Sequence, residues 1–352
     1  MAYPTLPQSQ RAWTFTSSGL PRDILTFSPN YVVPPPPAHA DLLIRVSHVS
    51  LNPGCYVFMA TIPPLLRRLL SGNTTYVPEG EFAGVVHLAG PAVPPHLAPG
   101  TRVFGCLPVP KLLMGAGTLA EFFCVPAESV ACVPPGMGLA EASGLAGVGL
   151  TAWNMLLETE LQPGARVLVN GASGGVGTMV VQLAKWKGAH VVATCSAGSA
   201  ELVRSLGADE IVDYRAHKPL HAFLATAYGA QPFDYILDTI GTQALFAHAP
   251  AYLTPAGALI NVGNFEGPLL TIWRALLNTY LPCALGGVPR TYKMISTTPT
   301  GAKAAVLARM AQEGALRVVV DDVVAFEDVL QAYDRMLARN VKGKLVVKVQ
   351  DV

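Results

Sequence analysis

The stretch Arg166-Val-Leu-Val-Asn-Gly-Ala-Ser-Gly-Gly-Val-Gly-Thr178 decides the fold. Arg166–Val169 is an apolar, β-branched run of strand character, and Val176–Lys187 beyond it has helical character. Between them Ala172, Gly174 and Gly177 hold the three positions of G-x-G-x-x-G, with alanine in place of the first glycine. In that context Gly174 lets the backbone approach a pyrophosphate, and Gly177 lets the helix pack closely on its strand. The helix N-terminus offers free N–H groups to an anion. Ser173, Gly174, Gly175, Val176 and Gly177 are therefore the candidate phosphate contacts of a dinucleotide. The alternative, a glycine-rich turn with no ligand, is disfavoured by the four further strand–helix units downstream in the chain.

Apolar runs begin at Arg166, His190, Glu210, Asp234 and Ala258, 20 to 24 residues apart, with helical segments such as Ala200–Leu206 between them. Alternation of strand and helix at that period means parallel βαβ units in a doubly wound sheet covered on both faces. Residues 134–300 are assigned to this nucleotide-binding fold. Residues 1–133 have a different texture. Short alternating segments such as Asp41-Leu-Leu-Ile-Arg-Val-Ser-His48 are punctuated by Pro34–Pro37, Pro63-Pro64 and Pro94-Pro95, the pattern of a barrel-like all-β unit. The tail, 301–352, returns to mixed texture. It has helices at Ala302–Gln312 and Phe326–Leu337 and strands at Val318–Val324 and Lys344–Val349, so the outer domain is expected to be discontinuous.

Composition narrows the function classes. Lys and Arg number 24 against 23 Asp and Glu, a net charge of +1, which gives no electrostatic reason to expect nucleic acid or an anionic membrane as partner. The longest uncharged run, Thr239–Phe265, is broken by Pro250, Pro255, Gly257 and Gly263 and reads as folded α/β chain, not a membrane span. The first fifteen residues lack a basic segment and an apolar core, and the six scattered cysteines include no C-x-x-C pair, so a cytoplasmic protein with reduced thiols is expected. None of the eight histidines forms an H-x-H or H-E-x-x-H pair, and no metal is expected.

The second strand bears on which dinucleotide binds. An NAD site places a carboxylate at its end to accept from the ribose 2′-hydroxyl. Here it runs His190-Val-Val-Ala-Thr-Cys-Ser-Ala-Gly-Ser199, with no acid before Glu201. Ser196 and Ser199 can donate to a 2′-phosphate, so NADP(H) is the expected cofactor; the same serines can also cap the next helix.

With these residues in view the sequence resembles the medium-chain dehydrogenase/reductase superfamily, in its zinc-free quinone oxidoreductase and enoyl reductase branch. The resemblance runs over nearly the whole chain. It is carried by Ser50-Leu-Asn-Pro-Gly-Cys, Gly80-Glu-Phe-Ala-Gly-Val-Val, Pro99-Gly-Thr-Arg-Val-Phe-Gly, Gly117-Thr-Leu-Ala-Glu-Phe, Gly149-Leu-Thr-Ala-Trp, the glycine loop, Leu206-Gly-Ala-Asp-Glu-Ile-Val-Asp-Tyr and Lys342-Gly-Lys-Leu-Val-Val. It implies a Rossmann domain inserted in a GroES-like barrel, with the cofactor in the cleft between them. The zinc-dependent relatives carry Gly-His-Glu where this chain has Glu79-Gly-Glu, so the histidine position is Gly80, and the four-cysteine lobe is missing. The resemblance therefore also implies no zinc.

What it implies for the site is residue by residue. Asn52-Pro53-Gly54-Cys55-Tyr56 matches an Asn-Pro-x-Asp segment beside the nicotinamide, with Cys55 in place of Asp. Asn52 and Tyr56 are the candidates for substrate carbonyl contact, Tyr56 with the alternative of a barrel tyrosine bonded to a backbone carbonyl. Thr151 matches a position near the nicotinamide, Tyr214 one near the 2′-phosphate, and Gly241 the end of the fourth strand. Asn261, Val262 and Gly263 match the strand end facing the nicotinamide, and Lys344 a strand close to the cofactor. Ser199 stands where the family has a lysine.

The expected chemistry is hydride transfer from NADPH to an enone, an enoyl group or a quinone, with charge stabilised at the carbonyl oxygen. The apolar stretch Phe265–Tyr292 is read either as a pocket wall or dimer surface for a hydrophobic small-molecule substrate, or as a helix packed in the core. Two alternatives stay open: a trans-acting enoyl reductase serving a carrier-bound intermediate, and a non-redox NADP-binding module or redox-neutral catalyst on the same fold. Monomer and homodimer are both compatible with the sequence.

Overall fold

A computed structural model describes residues 6–352, which form two compact units. The nucleotide unit comprises Thr151–Thr297 with Ala315–Arg317, and the barrel unit holds the described residues before it together with Thr298–Gly314 and Val318–Val352.

Six parallel strands build the nucleotide unit, numbered here within its sheet: β1 (Arg166–Asn170), β2 (His190–Cys195), β3 (Glu210–Asp213), β4 (Phe233–Asp238), β5 (Leu253–Asn261) and β6 (Thr291–Met294). Their order is β3-β2-β1-β4-β5-β6, so the winding reverses between β1 and β4, where such sheets bind ligands at the carboxyl ends of the strands. Val167, Leu168, Val169, Val191, Val192, Ile236 and Leu237 are fully buried, which is why the central strands read as unbroken apolar runs. The helix Gly175–Trp186 lays Met179, Val180, Val181 and Leu183 on that layer. β6 escapes sequence reading because Thr291-Tyr-Lys-Met is an edge strand with only Tyr292 buried.

In the barrel unit the strand Asp41–Ser50 is the hub. It pairs antiparallel with Glu81–Ala89, takes Phe122–Pro126 along its first half, and takes the C-terminal strand Lys344–Lys348 along its second. The register slips at Leu43/Ile44 and Val46/His48. Gly84 faces the second slip, where any Cβ would collide with the Arg45 carbonyl. Such bulges bend a sheet round its core, here Ile44, Val46, Phe82, Val103, Val125 and Val347. Because Lys344–Lys348 completes the hub, the chain enters this unit twice.

The division between the units falls at Leu150/Thr151, not at 134. Residues 134–150 go with the barrel because the helix Leu139–Ser143 packs on its strands and the Gly147 N–H donates to Glu81 at 2.6 Å. The tail reading Phe326–Leu337 resolves into a 3₁₀ turn, Phe326–Asp328, and a helix, Val329–Leu337, that buries Val329, Ala332 and Tyr333. Among the described residues no helix is long and apolar enough to cross a membrane.

Candidate active site

The glycine loop joins β1 to the helix Gly175–Trp186. The left-handed residue is Gly171, at φ +80°, one position before the first place of the motif, so Ala172 needs no unusual backbone and is simply buried. A Cβ on Gly177 would collide with the Gly171 carbonyl and come within 2.8 Å of the Ala172 Cα, so this glycine sets the helix against its strand. A Cβ on Gly174 would meet nothing closer than 3.6 Å. Protein packing does not require glycine there, whereas close approach of a ligand does. Gly174 also leaves the helix N-terminus without a side-chain cap.

Beneath the loop lies a polar lock that sequence reading missed. Asn170 Nδ2 donates to Asp238 Oδ1 at 2.8 Å, the Thr194 hydroxyl donates to Asn170 Oδ1 at 2.6 Å, and the Gly171 N–H donates to Thr194 Oγ1 at 3.0 Å. The lock ties the ends of β1, β2 and β4 together, and burial raises the Asp238 carboxyl above its ordinary value. The only signal in the sequence was a polar residue ending each of three apolar runs.

At the end of β2 the Ser196 and Ser199 hydroxyls lie 3.5 Å apart. Tyr214 follows β3 directly alongside, its N–H donating to the Cys195 carbonyl. Arg215, unremarked from sequence, donates through Nε to the Tyr214 hydroxyl at 3.3 Å and holds its guanidinium 5.8 Å from that ring. Gly241, at φ +80°, and Gly263 pack backbone to backbone, since a Cβ on either would strike the other's loop. Asn261 spends its amide on the Gly263 carbonyl and the Tyr292 hydroxyl, both at 3.0 Å, and accepts from the Gly263 N–H. It therefore shapes the Asn261–Gly263 turn, with both amide hydrogens used within the protein. Val262 donates its N–H to the Asp238 carbonyl, and the Thr151 hydroxyl meets that of Thr297 at 3.2 Å.

The barrel unit holds a second cluster. Lys344 is 3% exposed and Glu81 fully buried; Nζ lies 3.0 Å from Glu81 Oε2, 2.7 Å from Asn52 Oδ1 and 3.0 Å from the Leu51 carbonyl. All three ammonium hydrogens are spent inside the protein, so Lys344 braces this cluster instead of reaching a cofactor. Asn52 Nδ2 donates to the Ser50 carbonyl and to Glu81 Oε2, which leaves its side chain no hydrogen for a substrate carbonyl. Tyr56 stands one turn along the helix Pro53–Thr61, half-buried against the core, and its hydroxyl makes no hydrogen bond to a described residue. The reading of Tyr56 as a tyrosine tied to a backbone carbonyl is thereby removed.

Glu79 was overlooked. It is buried, sits at φ +66°, and accepts from the Tyr333 hydroxyl at 2.6 Å and from the Asn52 N–H at 3.1 Å. Burial lifts its carboxyl to about 7, while these donors and the Lys344 charge pull the other way. Burial and the adjacent carboxyl push the Cys55 thiol far above its usual value, which rules it out as a nucleophile at neutral pH. The apolar stretch forms a helix, Pro268–Tyr280, with only Thr271 and Ala275 buried; Leu269, Trp273, Leu276 and Tyr280 are exposed, so it is not a core helix.

Comparison with known proteins agrees with this picture. The family described as zinc-binding dehydrogenase matches residues 175–281. The trans-enoyl reductase poxH of Penicillium oxalicum (strain 114-2) is 35% identical over 97% of this chain and 98% of its own. The medium chain reductase pydE of an Acremonium species is 34% identical over 98% of this chain and 100% of its own. Among solved structures, the quinone oxidoreductase from Coxiella burnetii matches with a TM-score of 0.80 at 24% identity, covering 97% of this chain and 100% of that one, a likeness of fold. By fold, by glycine loop and by these full-length relatives, the chain belongs to the medium-chain dehydrogenase/reductase superfamily and is an oxidoreductase that uses a nicotinamide dinucleotide.

Proposed function

We propose that the protein is an NADPH-dependent, zinc-independent reductase of a carbon–carbon double bond conjugated to a carbonyl, with an apolar 2-enoyl thioester as substrate. The observation that carries the reading is the Tyr56 hydroxyl, which makes no hydrogen bond to a described residue and stands one helical turn beyond Asn52, whose own side-chain hydrogens are spent. The full-length relative named as a trans-enoyl reductase supports the thioester over a quinone.

The residues present suit a dinucleotide. The open side of Gly174 and the uncapped helix would take the pyrophosphate, with Ser173, Gly175, Val176 and Gly177 supplying the surrounding backbone. Ser196, Ser199, Tyr214 and the Arg215 guanidinium would take the 2′-phosphate, Arg215 serving as the cation that Ser199 is not. Gly241 would face the adenosine and ribose side, and Thr151 and the Asn261–Gly263 turn would line the nicotinamide side. When bound, NADPH supplies the hydride.

Zinc does not fit the barrel cluster. Glycine occupies the histidine position of the zinc-dependent pattern, and the Glu81 carboxylate is already neutralised by the Lys344 ammonium at 3.0 Å. No step is therefore routed through a metal. Negative charge that gathers on the carbonyl oxygen during the reduction would be met by the Tyr56 hydroxyl, which donates a hydrogen bond there and passes its proton to that oxygen; the enol so formed becomes the saturated thioester as the α-carbon takes up a solvent proton and the enol O–H proton is released.

The test is NADPH consumption with a 2-enoyl thioester, an apolar enone and an ortho-quinone, with NADH in parallel and with chelator present and absent. The reading expects the thioester with NADPH to be fastest and the chelator to be without effect. Equal rates with NADH would remove the 2′-phosphate site, and loss of rate on chelation would remove zinc independence.

A further inference from the structure

Glu79 carries an inference beyond that reading. A non-glycine residue at positive φ is uncommon, and a buried carboxyl is costly unless matched, so the combination requires a compensating role. Its partners come from two distant parts of the chain. Tyr333 lies on the helix Val329–Leu337, whereas Asn52 stands at the N-terminus of the helix Pro53–Thr61.

Asn52 is the N-cap of that helix, yet its side chain caps nothing, because Lys344, Glu81 and the Ser50 carbonyl hold it. The first turn hangs on Asn52 through its main chain instead: its carbonyl accepts from the N–H groups of Cys55 and Tyr56. Glu79 grips the N–H of the same residue. The turn that presents the Tyr56 hydroxyl is thus fastened at its root by one carboxyl, itself held to the C-terminal helix by Tyr333.

We propose that Glu79 is a positioning residue for the reduction, clasping the Asn52–Tyr56 turn so that the Tyr56 hydroxyl is held in line with the substrate carbonyl. The proposal rests on the reading of Tyr56 as the proton donor. It explains why an acid is kept at a backbone conformation that glycine would adopt without strain.

The test is a double-mutant cycle on the full chain, comparing Glu79→Gly, Tyr56→Phe and the double variant in kcat and in KM for NADPH. Glycine accepts φ +66°, so Glu79→Gly is expected to fold; Glu79→Asn, also tolerant of that conformation, is the second variant if it does not. The expected result is that Glu79→Gly lowers kcat roughly tenfold or more, leaves the KM for NADPH within about twofold, and adds little to the loss in Tyr56→Phe. Cys55→Asp in the Glu79→Gly background, which returns a carboxyl to the same turn, is expected to recover part of the rate. Full activity of Glu79→Gly with an impaired Tyr56→Phe overturns the proposal and leaves the Tyr56 reading standing. Losses that multiply independently also overturn it. Full activity of Tyr56→Phe overturns both.

Discussion

Folding takes Glu79 out of water and raises its carboxyl from 4.5 to about 7, with Tyr333, Cys55, the Asn52 N–H and the Lys344 charge opposing the shift. Between those two values the unfolded chain has released this proton and the folded chain still holds it, so stability falls as pH rises through the window and levels above it. At about 1.4 kcal/mol per pH unit the loss is at most ~3 kcal/mol. Glu79→Gln removes the titration, so its denaturant-unfolding free energy should decline less than the parent's between about pH 5 and pH 8; parallel curves would contradict the assignment. Tyr56→Phe should lower kcat roughly 100-fold, within the range for a lost general acid. Of this cluster, Asn52, Tyr56 and Lys344 were legible through motifs. Glu79 was not, because acids are expected at the surface and non-glycine residues away from positive φ. Two assignments also changed because sequence shows which residues assemble but not where their hydrogens are spent: Lys344 and Asn52 brace the cluster instead of contacting ligands.

The glycine loop was readable as an element because strand, turn chemistry and helix agree, and the structure separates the roles of its glycines. Gly177→Ala drives a methyl into the Gly171 carbonyl, so it should destabilise the fold by about 2 kcal/mol, an overpacking cost, and weaken NADPH binding too. Gly174→Ala makes only an ordinary contact, 3.6 Å from the Gly171 carbonyl, so its thermal midpoint should match the parent's while NADPH binding, measured by fluorescence titration, weakens. A stable Gly174→Ala variant with unchanged affinity would show that the loop is a turn and not a cradle. Elements without an apolar period were harder to read. β6 is short and at the edge, and the helix Pro268–Tyr280 turns most of its large apolar side chains outward, against the expectation that so apolar a helix is buried.

At the scale of the whole molecule, the parallel-sheet unit begins at Thr151, later than the change of texture near 134, because residues 134–150 are helical, like the nucleotide fold after them, but pack on the barrel through the Gly147–Glu81 contact. Cofactor choice also belongs to this scale, since it rests on groups from β2 and from beyond β3. Arg215→Ala should raise the KM for NADPH roughly tenfold and leave that for NADH unchanged, as expected for loss of one charge-assisted phosphate contact. Isotope placement reads the direction of hydride and proton most directly. NADPH carrying deuterium at its transferable position, given with a 2-enoyl thioester, should place one deuterium on the β-carbon of the saturated product and a solvent-derived hydrogen on the α-carbon. Deuterium on the carbonyl carbon, or an unreduced double bond after the cofactor is consumed, would contradict the account.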